Sequence, residues 1–125
     1  DVAALGVTVS GELGAPATVS VNPGTAEPTE DKIVVLARGA GEPITAQDTV
    51  GTNIARTTWD NSVFESTWDI GAPSRITVSA APNLTGLVGV PVGSRVVMVQ
   101  AAGTDANGTA VPARAYVIDI DAKLR

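Results

Sequence analysis

The chain has 125 residues, rich in glycine and proline, with two Trp, one Tyr and one Phe; this length suits one domain with a buried, mostly aliphatic core. Histidine and cysteine are absent, which excludes Ser-His-Asp catalysis, zinc hydrolysis on histidine ligands, thiol nucleophiles and disulfides. The net charge is −5 with dispersed basic residues, so nucleic acid is not an expected partner, and no apolar run approaches the ~20 residues that span a bilayer.

Val7-Thr8-Val9-Ser10 alternates apolar and polar residues, the period of a half-buried strand, until Gly11 to Pro16 breaks it. Ala17 to Val21 alternates again before the Asn22-Pro23-Gly24 turn, and a polar loop follows to Asp31. Lys32 to Ala37 is β-branched and reads as a buried strand. After the turn Arg38 to Pro43, Asp48 to Thr58 is a longer strand, the Asp60-Asn61 turn follows, and Val63 to Trp68 is a second short strand. Ser74 to Ser79 alternates as a strand. Pro82 to Val88 is the one predicted helix, about two turns with Pro82 in its first turn. Ser94 to Gln100 is a strand, Ala101 to Val111 a loop, and Ala113 to Asp121 a closing strand. On that last strand Tyr116, Ile118 and Ile120 share one face, and Val117, Asp119 and Asp121 the other. The elements predict an α+β, mostly β fold: an antiparallel sheet wrapped on one short helix, or else a β-sandwich.

Two segments carry a family resemblance. Trp59-Asp60-Asn61-Ser62-Val63-Phe64-Glu65-Ser66-Thr67-Trp68 resembles the stretch, usually Phe-Asp-Ser-Ser, after the aromatic pocket strand of peptidyl-prolyl isomerases of the FK506-binding-protein (FKBP) type. Gly86-Leu87-Val88-Gly89-Val90-Pro91-Val92-Gly93-Ser94-Arg95 resembles the turn that leaves that family's single helix, Gly-Leu-x-Gly-x-x-x-Gly-x-Arg. The N-terminal stretch from Val9 to Val21 is similar to the lead-in strand of FKBP domains in actinobacterial surface lipoproteins. The resemblance implies one FKBP-like domain over 1–125, with 1–30 an N-terminal strand extension and 31–125 the core. It implies an extracytoplasmic or cell-surface, monomeric protein, lipid-anchored through a removed N-terminal segment, and Asp1 is expected to be a processed or excised start. Neither cofactor nor metal is implied.

The family's chemistry needs no proton shuttle. Rotation about an amide costs ~18–20 kcal/mol, and X-Pro bonds are those for which both isomers are accessible. Twisting the bond reduces its charge separation, so a dry pocket walled by rings favours the twisted state while an acidic side chain and backbone donors orient the carbonyl. Carried onto this chain, the resemblance assigns Phe64 to a pocket wall and Glu65 to the acidic position, where the family has Asp. Ile54, or Asn53 with a loop one residue different, stands at an upstream tyrosine, Ser74 at a second phenylalanine, Asn83 near the floor tryptophan and Ile118 at the final-strand phenylalanine. The late-loop tyrosine falls around Ala106 to Gly108, where no ring is present. Ile76 and Leu84 complete an aliphatic groove. Losing a floor indole alone removes about 2–4 kcal/mol of binding. The expected function is therefore an isomerase-like domain, weak or inactive, that binds a proline-containing peptide or unfolded segment. The alternatives are a competent isomerase with a remodelled aliphatic pocket, and a structural β-module of a surface protein.

Other features read more plainly. Asp60, Glu65 and Asp69 match no calcium-loop spacing. Asp119 and Asp121 resemble a paired-carboxylate site, and a solubilising outer edge accounts for them equally well. Trp68 is expected to pack under the Gly71-Ala72-Pro73 loop. Asn83-Leu84-Thr85 and Asn107-Gly108-Thr109 match the glycosylation acceptor pattern, which arises often by chance.

Overall fold

Val96, Val97, Met98 and Val99 are all buried, on a strand covered on both faces. A computed structural model describes the backbone of residues 3–80 and 82–124, and side chains there except at positions 3, 80, 82, 83 and 85. Its strands in chain order are β1 (Val7–Ser10), β2 (Thr18–Val21), β3 (Lys32–Ala37), β4 (Thr49–Thr58), β5 (Phe64–Ser66) and β6 (Ser74–Thr77), then β7 (Arg95–Gln100), β8 (Gly103–Thr104), β9 (Ala110–Val111) and β10 (Arg114–Lys123). All pair antiparallel; the main sheet runs β3-β7-β10-β4, and both β5 and β6 pair with the outer edge of β4.

Alternation along β7 and β10 sends side chains to two separate cores. Val96, Met98, Ile118 and Ile120 join Ile44, Val50, Leu84 and Leu87 on one face. Val97, Val99, Ala115 and Val117 join Val7, Val19 and Val21 on the other, where the β1–β2 hairpin covers the sheet. The sheet is thus the middle of three layers. β3 forms its edge and is only half-buried, not the fully buried strand that its β-branched run predicts.

The helical elements differ from expectation. Pro82–Leu87 is a 3₁₀ segment, while the α-helical turn α1 lies at Thr67–Ile70, where the sequence reads as strand. α1 ends at Gly71 with φ 63°, the left-handed conformation that glycine adopts without a Cβ clash. Gly86 lies in the 3₁₀ segment with Ile33 against it, and a Cβ there would stand 3.1 Å from Ile33 Cδ1. Glycine interrupts regular α-helix at that place and lets the segment pack close to β3.

Arg95 ties the hairpin to the sheet. Only 2% exposed, it donates from Nε and Nη2 to the two carboxylate oxygens of Asp119, at 2.6 and 2.8 Å. Its Nη1 donates to the Gly11 carbonyl at 2.6 Å and its Nη2 to those of Glu12 and Ala15 at 3.1 and 2.9 Å. Asp119 therefore faces inward on a central strand, so the outer-edge reading of Asp119 and Asp121 fails for Asp119. Asp121 stands at a register shift between Ile120 and Ala122, and it accepts from Asn53 Nδ2 at 2.8 Å. Partial desolvation pushes the Asp121 carboxyl up and the Asp119 charge adds to that, against the Asn53 hydrogen bond.

The Asp60-Asn61 turn forms as expected and also holds the hairpin. Asn61, at φ 61°, accepts from Val21 N and donates to Val21 O, both at 2.9 Å, so its amide acts as one more ladder residue beside β2. Asp60 Oδ1 accepts from Ser62 Oγ and Thr58 Oγ1, both at 2.7 Å, and from Ser62 N at 3.0 Å. These bonds, led by the Ser62 hydroxyl, lower the Asp60 pKa from 3.8 to about 2. A depressed folded-state pKa gives stability that is present above 3.8 and lost as pH falls through about 2. Asp60→Asn is expected to remove this part of the acid sensitivity; a carboxyl resonance titrating near its ordinary value in the native protein would contradict it.

Candidate functional site

Between β5 and β6 the outer edge of β4 loses its strand partner, and α1 fills the gap. Thr67 Oγ1 accepts from Ile54 N and donates to Asn53 Oδ1, both at 2.9 Å, in place of the missing ladder bond. A cavity of about 520 Å3 opens at this seam. Ile54 and Arg56 of β4, Phe64, Glu65 and Ser66 of β5, and Ser74 of β6 line it, together with Thr67, Asp69 and Ile70 of α1 and Tyr116 of β10.

Strand period and register explain the grouping. Ile54 and Arg56 lie two apart on β4 and share a face. Across the ladders Arg56 stands opposite Tyr116 on one side and Glu65 on the other. Arg56 Nε donates to Glu65 Oε1 at 2.8 Å, and Nη2 lies 2.6 Å from the same oxygen. Partial burial disfavours the charged guanidinium, yet the Glu65 hydrogen bond and charge outweigh it and raise the Arg56 pKa. Tyr116 donates its hydroxyl proton to Gln100 Oε1 at 2.9 Å. Phe64, 41% exposed, stands at the open rim.

Of the residues singled out in the sequence, the fold brings together Phe64, Glu65, Ile54 and Ser74 around this cavity. Ile118 and Leu84 are buried in the first core, and Ile76 packs against it. None of these three lines the cavity. The side chain of Asn83 lies outside the described residues. Trp68, like Trp59, packs against the second core. Among the described residues no group of acidic side chains is arranged to hold a metal, and no helix is long and apolar enough to cross a membrane.

Sequence reasoning missed Arg56 and Tyr116. Their signal was the period of two: Arg56 follows Ile54, and Tyr116 precedes Ile118, each by two residues on its strand. Tyr116 contributes an aromatic ring to this wall from β10, whereas the resemblance looks for one around Ala106 to Gly108. Those positions are instead exposed at the tip of the β8–β9 hairpin, whose stem lines a different cavity.

No family model matches the chain, and no curated protein matches it. Solved structures do. The N-terminal domain of FKBP42 from Arabidopsis thaliana superposes with a TM-score of 0.61 at 12% identity, covering 85% of this chain and 99% of that one. FkpA from Escherichia coli gives a TM-score of 0.62 at 19% identity, over 82% of this chain and 52% of FkpA. A multi-domain immunophilin from Arabidopsis thaliana gives 0.58 at 13% identity, over 77% of this chain and 43% of that one. The chain thus spans about half of FkpA and less than half of the immunophilin. An antiparallel sheet whose β4 edge is shared by β5 and β6, with a short helical segment packed on one face, is the FKBP-type fold, and this chain has it.

Proposed function

We propose that this chain is a prolyl-isomerase-like domain that holds proline-containing or unfolded peptide segments in the cavity beside Ile54, Phe64 and Tyr116, with weak or absent isomerase activity. The observation that carries this reading is the Arg56–Glu65 ion pair within the cavity lining. Isomerisation by desolvation needs a dry pocket, because the twisted amide is less polar than the planar one. Here the two side chains of the pair are 37% and 58% exposed, and Asp69 shares the wall. Charges that keep their water favour the planar amide, so the catalytic gain is small.

The groups that could orient a substrate carbonyl are also engaged. Glu65 is held by Arg56, the Tyr116 proton goes to Gln100, and the Ile54 N–H goes to Thr67. What remains is apolar ring and aliphatic surface at Phe64, Tyr116 and Ile54, which suits a proline ring as a contact rather than a reactant.

A protease-coupled proline-isomerisation assay, paired with peptide titration, tests the reading. The expected outcome is little acceleration, saturable binding of a Pro-containing peptide, and a loss of about 1–2 kcal/mol of binding in Phe64→Ala. Strong acceleration that Phe64→Ala abolishes would instead establish a competent isomerase. No binding across a panel of Pro-rich peptides would leave a structural β-module.

A further inference from the structure

A second cavity, about 510 Å3, opens between the Asp60-Asn61 turn and the β8–β9 hairpin. Its chemistry is unlike that of the first. Ala102, Val111 and Pro112 supply apolar wall, Trp59 an indole, and Glu27 and Asp60 two carboxylates. Among the described residues no Lys or Arg lines it; Arg114, the cross-strand neighbour of Thr58, is not part of the wall.

The indole is fixed in place. Trp59 Nε1 donates to the Thr25 carbonyl at 2.9 Å while the ring packs on the second core. Asp60 is held by the three hydrogen bonds on Oδ1 and is ionised throughout the physiological range. A rigid aromatic ring, two negative charges and a short apolar wall, in a space of this size, complement a cation that carries an alkyl stem. The positive charge meets the carboxylates, the ring adds a cation–π attraction, and the methylenes cover the apolar wall. A small inorganic cation would leave the apolar wall and the ring unused, and an anion would be repelled.

We propose that this second cavity binds an organic ammonium group, carried either by a lysine side chain of a partner peptide or by a free alkylamine. The site is independent of the peptide-binding reading of the first cavity and shares no lining residue with it.

The test follows Trp59 alone, in a Trp68→Phe background, by fluorescence during titration with n-butylammonium and with a lysine-containing acetylated peptide. The same peptide with norleucine in place of lysine is the uncharged control. If Trp68→Phe fails to fold, the indole N–H resonance of Trp59 in the unaltered chain gives the same readout. Saturable binding of either amine is expected, weakened by salt, absent with norleucine, and reduced about two- to fivefold in each of Glu27→Gln and Asp60→Asn. Binding of both amines, or of one only, identifies the source. Equal binding of the norleucine peptide, no response to either amine, or affinity unchanged in both variants would overturn the proposal.

Discussion

Arg95→Met is expected to destabilise the protein by about 3–5 kcal/mol, the scale for removing one partner of a buried ion pair. Asp119, 4% exposed, would be left as an unpaired charge inside the second core. The Gly11, Glu12 and Ala15 carbonyls would lose their donor in the same step. A loss of this size takes a large share of the ~5–15 kcal/mol that holds a small domain folded. Apolar replacement of both partners often restores stability in buried pairs. Here Arg95→Met with Asp119→Leu is expected to recover only part, because the three hairpin carbonyls remain unsatisfied. Urea unfolding of the two variants measures this directly. Hydrogen exchange adds a local readout: protection in β1 and β2 should fall further than protection in β7 and β10. Full recovery in the double variant, or uniform loss of protection, would show that Arg95 does not anchor the hairpin.

Leu87→Ala is expected to cost about 2–5 kcal/mol, the range for truncating a fully buried leucine. Leu87 is 0% exposed and meets Val96, Met98, Ile118 and Ile120 in the first core. The segment that carries it, Pro82–Leu87, is 3₁₀ and short, with little helical cooperativity of its own. Its place therefore depends on Leu84 and Leu87 sitting in the first core. Thermal unfolding of Leu87→Ala against Val88→Ala makes the contrast, since Val88 is exposed and should cost less than about 0.5 kcal/mol. Similar melting points for the two would mean that this segment does not close the core.

Several parts of the fold and of the candidate site are legible in the linear chain. Alternation in β1, β2 and β6 locates those strands, because period two marks a strand with one face to the core. Turn chemistry does as much: Asp60-Asn61 turns, and the glycines from Gly86 to Gly93 lead into β7. The resemblance picks out Phe64, Glu65, Ile54 and Ser74, and these do surround one cavity. The boundary between β5 and α1 is not legible in the same way, because Val63 to Trp68 has apolar and aromatic residues that suit either state. What settles it is Thr67 reaching back to Asn53 and Ile54, a contact between residues more than ten positions apart.

Composition alone determined that this protein has no imidazole or thiol chemistry, and local pattern alone determined a glycine-punctuated, mostly β chain. Pairing across strands decided the rest. Arg56 became a wall residue because the ladder places it between Tyr116 and Glu65, and Asp119 became half of a buried clamp because β10 runs through the middle of the sheet. A one-dimensional pattern records which residues share a face of their own strand. Which strand lies beside it, and hence whether a charge meets water or a partner, is set by long-range pairing that only the folded chain contains.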